Sequence, residues 1–363
     1  MRVRKGFGLI VYVGIVSTIF FGGANVAFAQ SSVTLYGTLD VGLIYASKIE
    51  GANGQNAGHV FAVNDGGVGP TIFGMRGIED LGGGLKTEFT LEGGTSVANG
   101  SMANSNGNLF GRNAWVGLDS NYGNVKLGLQ YSPFALSLYE TDPRGGSFVG
   151  SGTVHFFDNL VVTSLFNANA ITYESPKIAG FTGTAMYALG GTAGDFAAGR
   201  QYSFRLTYDA ASFRVDAAMY NGNGGGSASS TPVPSTIPFV GRTIGASYFA
   251  GSLTMGLNYT LYKVAGSFSS QVYGAGFKYA VTPSWHVDSG VWYTRDGNDS
   301  SNHSILGAIG TQYLLSKRTF VYAQVAIVNN HGLMNTGLTA EPIALYEVLG
   351  TSNAVNIGIR HSF

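Results

Sequence analysis

From Val33 onward the chain alternates apolar and polar residues in segments of roughly ten, and no apolar run after Gln30 is long enough to cross a bilayer as a helix. In the first such segment Val33, Leu35, Leu39, Val41, Leu43 and Tyr45 share one parity, while Tyr36, Thr38 and Asp40 share the other. The cleanest case sets Leu253, Met255, Leu257, Tyr259 and Leu261 against Thr254, Asn258, Thr260 and Tyr262. A period of two over that length makes a strand that is apolar on one face only. Sixteen segments follow the rule, near 33–45, 71–78, 85–92, 109–118, 123–131, 167–175, 181–190, 200–209, 212–221, 240–249, 252–262, 271–280, 285–295, 304–314, 318–328 and 353–363. Their connections alternate between short turns (GIEDLGGG, DSNYG, SPKIAG, VTPS, LSKR) and long polar loops such as 47–69, 93–108 and 222–239.

The ends of the chain fit that pattern. Arg2, Arg4 and Lys5 precede an apolar run from Phe7 to about Phe21, and Ala27-Phe28-Ala29 has small residues where a signal peptidase reads. The reading is therefore a cleaved signal peptide over 1–29 and one mature domain over 30–363. Removing three basic residues and no acidic one from 20 of each leaves 17 against 20, so no basic field remains for nucleic acid. Only 11% of residues are charged, less than half of the roughly 25% usual in soluble proteins. Absence of cysteine excludes a disulfide scaffold and thiol catalysis.

An exported chain without membrane helices can still enter a bilayer as a closed β-barrel, because closure satisfies every backbone hydrogen bond. An even number of strands, with short turns on one rim and long loops on the other, is the signature of an outer-membrane barrel. The expected fold is all-β: a 16-stranded antiparallel transmembrane β-barrel with short periplasmic turns and long external loops. Both ends fall on the short-turn rim, so the first and last strands can pair and remove the exposed edges.

A barrel of this size leaves an aqueous channel. Asp40, Arg76, Lys86, Glu88, Arg205, Arg214, Lys278 and Asp288 lie on the polar parity and can line it. One connection departs from the rest. Ser132 to Phe166 is about twice the length at which connections inside a domain normally stop, and it mixes apolar with acidic residues. It is expected to fold into the lumen as the third long loop and narrow it. Its Glu140, Asp142, Arg144 and Asp158 then either line the constriction or close the loop's own turns.

Catalysis finds no support in the motifs. His59, His155, His286, His303, His331 and His361 are scattered, and neither a metal-binding H-E-x-x-H nor a G-x-S-x-G nucleophile is present. No cofactor is called for. A secreted β-rich binding or adhesion protein would explain the export signal, but it would need a dry core and more external charge.

Read in order, SSVTLYGTLDVGL, GMRGIEDLGGGLKTEFTLE, LFGRNAWVGLDSNYGNVKLGLQYSP, ITYESPKIAGFTG, QYLLSKRTFVY and the closing VNIGIRHSF resemble the trimeric general porins of Gram-negative bacteria, in particular the β-proteobacterial branch. The resemblance covers essentially the whole mature chain. It implies a homotrimer in the lipid and lipopolysaccharide of the outer membrane, with the second loop latching onto a neighbour. Phe363 would be the signal read by the barrel-assembly machinery. It also implies passive diffusion of small hydrophilic solutes and ions, with a substrate-selective channel as the alternative. Such porins set wall arginines against acidic residues of the third loop. Here Arg76 and Arg112 match that pattern, whereas Ile72, Leu129 and Phe166 stand where arginines are expected. Parity places Leu129 with Val125 and Leu127 on the lipid face unless a bulge intervenes. Weak ion selectivity is the resulting expectation.

Overall fold

A computed structural model describes residues 32–159, 164–224 and 238–363. The leader over 1–29 and most of the loop over 222–239 lie outside these residues. The described chain forms seventeen strand segments: β1 (Ser32–Ala46), β2 (Val60–Asp65), β3 (Ile72–Gly82), β4 (Leu85–Gly94), β5 (Asn113–Ser120), β6 (Gly123–Tyr131), β7 (Phe166–Glu174), β8 (Phe181–Ala188), β9 (Arg200–Asp209), β10 (Phe213–Gly224), β11 (Phe239–Ala250), β12 (Leu253–Val264), β13 (Ser269–Thr282), β14 (Trp285–Asp296), β15 (His303–Leu314), β16 (Thr319–His331) and β17 (Gly350–Ser362). Two helices, α1 (Pro133–Thr141) and α2 (Gly152–Asp158), lie between β6 and β7.

Every neighbouring pair is antiparallel, and β1 pairs with β17, so the sheet closes on itself. Seventeen segments make sixteen staves because β2 and β3 share one. β2 pairs with the Val41–Ala46 end of β1, and β3 pairs with the Ser32–Thr38 end. The loop expected over 47–69 therefore contains a strand. The run Val60–Asp65 alternates correctly, with Phe61 and Val63 exposed, but it is only six residues long and ends in GGVGP, which hides it in the sequence.

Alternation becomes two surfaces. Leu35, Leu206, Leu257, Ile309 and Ile357 are more than half exposed on the outside, where an apolar face is stable only against lipid. Trp285, Tyr279, Tyr248 and Tyr313 stand near the short turns, and Tyr259, Tyr273 and Tyr293 form a chain of rings toward the long loops. These are the aromatic girdles expected at the two interfaces of such a barrel. No helix among the described residues is long and apolar enough to cross a membrane.

Closure also depends on Phe363, whose backbone exchanges hydrogen bonds with Gly37 of β1. Leu129 does not join Val125 and Leu127 on the exposed face: it is partly buried and packs against the buried apolar cluster. The cause is a register shift between β6 and β7 at this level, where Asn169 adopts φ 54° and Gly128 φ 133°.

Candidate functional site

The connection between β6 and β7 is built from its ends inward. Ser132 caps α1 by accepting from the Ala135 N–H at 3.0 Å, and Pro133 occupies the first turn, where its missing N–H costs nothing. The helix then lies against the polar parity of the opposite staves. Phe134 N–H donates to Ser203 Oγ of β9, and the Ser137 hydroxyl donates to Asp216 of β10. The Phe134 ring is fully buried between Tyr220, Phe156 and Tyr262. It fits because β11 carries Gly241 there; any Cβ at that position would enter the ring.

Beyond α1 the chain turns sharply and fastens to the wall again. Asp142 accepts the backbone N–H groups of Arg144, Gly146 and Gly152 at 2.8–2.9 Å, which closes the turn. Arg144 is almost completely buried. Its guanidinium donates to Asp288 of β14 at 2.5 Å, to Gln324 of β16 at 2.9 Å and to the carbonyls of Val149 and Gly150. A buried arginine needs this full set of partners, since an unpaired charge there would be very costly. Asp158, at the end of α2, lies 3.4 Å from the Gly337 N–H of the β16–β17 loop. The same loop pairs with the connection through Gly150 N–H to Leu338 O and Ala340 N–H to Phe148 O.

Charged side chains of the staves divide into two groups. On β9 and β10, Arg205 pairs with Glu140 at 2.7 Å and Asp216 at 2.5 Å, while Arg214 pairs with Glu140 at 2.6 Å and Asp209 at 2.5 Å. On β3 to β6, cations rest on aromatic rings. Arg76 lies 5.4 Å from the centroid of Tyr36, and Lys126 lies 4.5 Å from that of Trp115. Arg112, just before β5, lies 5.3 Å from the Phe166 ring and 5.7 Å from the Tyr131 ring. It also donates to Glu92 at 3.0 Å, which takes a further bond from the Tyr36 hydroxyl.

The sequence-derived candidates thus occupy several distinct settings. Glu140, Arg205 and Arg214 come together in one ion-pair network. Arg76 lies on β3, which begins at Ile72, and Arg112 stands just before β5. Asp142, Arg144 and Asp288 hold the connection in place, and Lys278 extends to Gly145 of its turn. Asp158 belongs with the outer loops, and its carboxyl is held far above the usual range by burial. Lys86 is exposed near the short-turn rim, where Glu88 accepts a bond from Asn124. Asp40 is fully buried and accepts from Tyr322, Arg360 and three backbone N–H groups.

Glu92, Tyr131 and the β16–β17 loop were not anticipated. A glutamate at the end of an alternating strand looks solvated, and its partners come from distant segments. Burial pushes Glu341 and Glu347 of that loop up to about 7. Among the described residues no group of three potential metal ligands is found.

A cavity of about 390 Å³ opens between Arg112 and Tyr131 on one side and Leu136, Tyr139 and Phe148 of the connection on the other. A sequence model of the Gram-negative porin family matches residues 15–333. The chain is 29% identical to outer membrane porin protein 32 of Delftia acidovorans, over 96% of this chain and 99% of that one. It is 27% identical to an outer membrane porin of Bordetella pertussis, over 96% and 98%. The solved structure of the anion-selective porin from Comamonas acidovorans superposes with a TM-score of 0.77 at 26% identity, covering 92% of this chain and all of that one.

Proposed function

The chain belongs to the Gram-negative porin family, and from that premise we propose that the loop 132–166, in its described parts 132–159 and 164–166, lies inside the barrel and sets the narrowest part of its pore. The protein is a passive diffusion channel of the outer membrane for ions and small hydrophilic solutes, without a catalytic step. What carries the proposal is the cavity between Arg112 and the Leu136–Tyr139–Phe148 edge, because both of its sides belong to polar-parity surface or to the connection. A solute passing there meets Arg112 and Arg360 beside the largely apolar edge of the connection.

Among the described residues Glu140, Asp216, Asp209, Glu92 and Asp288 have arginine partners and Glu88 is bonded by Asn124, whereas Arg76 and Lys126 make ring contacts alone. The resulting field favours anions weakly. Absence of arginine at 72, 129 and 166 supports weak rather than strong preference.

Two measurements test this reading. Because the chain has no cysteine, Leu136→Cys gives a single labelling site. Reaction with a sulfonated thiosulfonate in a planar bilayer should lower single-channel conductance, and an unchanged conductance would remove the connection from the narrow zone. In a salt gradient the reversal potential should be small and of anionic sign.

Family membership and the girdled apolar exterior support the remaining parts of the proposal. The chain is exported by a leader cleaved after Ala29, is inserted by the barrel-assembly machinery through Phe363, and assembles as a homotrimer among lipid and lipopolysaccharide. Heat-modifiable trimers in detergent gels and a mature amino terminus at Gln30 are the expected results.

A further inference from the structure

The break between β2 and β3 is an insertion with its own architecture. Val41 faces Asp65 and Thr38 faces Ile72, so three steps along β1 are matched by seven along its partner, leaving four extra residues. The chain leaves the sheet over Gly66–Thr71, opposite Leu39 and Asp40. Gly66 turns at φ 78°, and its N–H donates to Asp40 O; the Thr71 hydroxyl donates to the same carbonyl, and the Asp40 N–H donates back to it.

Asp40 organises the excursion. Its carboxylate accepts the N–H groups of Gly67, Val68 and Gly69 at 3.0–3.2 Å, the Tyr322 hydroxyl at 2.7 Å and Arg360 at 3.0 Å. Successive amides converging on one anion form a backbone nest, which fixes their direction. With those amides turned toward the wall, the Gly67 carbonyl accepts from Ser147 of the β6–β7 connection at 3.2 Å and from Gln324 at 2.8 Å. Glycine is required at 67, since a Cβ would run into Asn356 and Tyr322.

We propose that Gly66–Thr71 is a second narrowing element of the pore, supplied by the wall, with Val68 as its tip and Asp40 as its positioning residue. Val68 lines two separate cavities. One, of about 390 Å³, holds Arg112; the other, of about 370 Å³, is lined by Lys278, His286 and Asp288. Gly145 of the connection lines both as well, so Val68 faces the connection where the two cavities adjoin. The inference rests on the reading that the connection lies in the lumen.

Two variants test it. Val68→Cys labelled with the sulfonated thiosulfonate should lose about half of its single-channel conductance. Excision of Gly66–Gly69, which restores the register of β1 with one continuous stave, should raise conductance and admit larger oligosaccharides in liposome swelling. Unchanged conductance on labelling position 68 overturns the proposal, even if the excised variant does not fold. Block at position 136 but not at 68 removes only the wall element. Block at neither position removes the wall element together with the reading beneath it, and block at 68 alone keeps the wall element and removes the connection's share.

Discussion

The wall from β9 to β16 and the wall from β3 to β6 carry similar charged residues but hold them in different ways. On the first, Arg205, Arg214, Asp216 and Asp288 are each paired with a residue of the β6–β7 connection or with a partner beside it. On the second, Arg76, Arg112 and Lys126 lie over Tyr36, Tyr131, Phe166 and Trp115, with the carboxylates of Glu88 and Glu92 on the strand between them. The difference has a physical origin. A wall covered by protein cannot leave charges to water and must neutralise them locally, whereas a wall facing water can keep cations whose rings only restrain them. Asp216 and Asp288 on the covered wall and Arg144 of the connection are therefore structural and Arg112 is buried in its pair with Glu92, whereas Arg76, Arg214 and Glu140 remain open to solutes.

The largest effect that would break this contrast is loss of the anchor on the covered wall. Arg144→Ala leaves Asp288 buried without its partner and frees two loop carbonyls, at a cost of about 3–5 kcal/mol. Thermal unfolding of the protein followed by circular dichroism should shift down clearly, and single-channel currents should become noisy. Both walls share the premise that one parity meets lipid. Leu257→Arg at mid-stave should cost about 2–4 kcal/mol in refolding titrations into lipid vesicles, while Asn258→Arg, on the other parity, should cost far less.

Selectivity separates the walls more finely. Glu140→Gln removes the shared partner of Arg205 and Arg214, and the reversal potential should move toward anions with little change in unfolding temperature, since Glu140 is 41% exposed. Arg76→Gln should move it the other way by a smaller amount, because a single exposed cation is well screened.

The smallest effect is on pH. Burial raises Glu341 and Glu347 from an ordinary 4.5 to about 7, so the packed loop favours their neutral forms. Packing of the β16–β17 loop is strongest below pH 4.5, weakens as pH rises to about 7, and changes no further above it. Amide protection over 337–347, corrected for the intrinsic pH dependence of exchange, should be lower at pH 8 than at pH 5.

Much of the barrel was legible because alternation is local: Leu257 and Asn258 declare their faces without reference to any partner. The short and long connections declared the rims in the same way. The site was legible only in outline. Glu140, Arg205 and Arg214 were named from parity and position, but their convergence joins segments 65 and 74 residues apart. Asp40 shows the limit most clearly. Its parity marks it as a lining residue, yet five donors from β2–β3, β16 and β17 take it out of solvent.

By itself the sequence determined the strands, their lipid and water faces, the even count of staves and the position of the long connection, since each follows from spacing or length along one stretch of chain. Only the tertiary structure decided that the second stave is broken at Gly66, that Leu129 turns away from lipid, and which charges are spent on anchoring. Those outcomes depend on which donors and rings closure of the ring brings within about 3–5 Å of one another, and no single stretch of chain contains both partners.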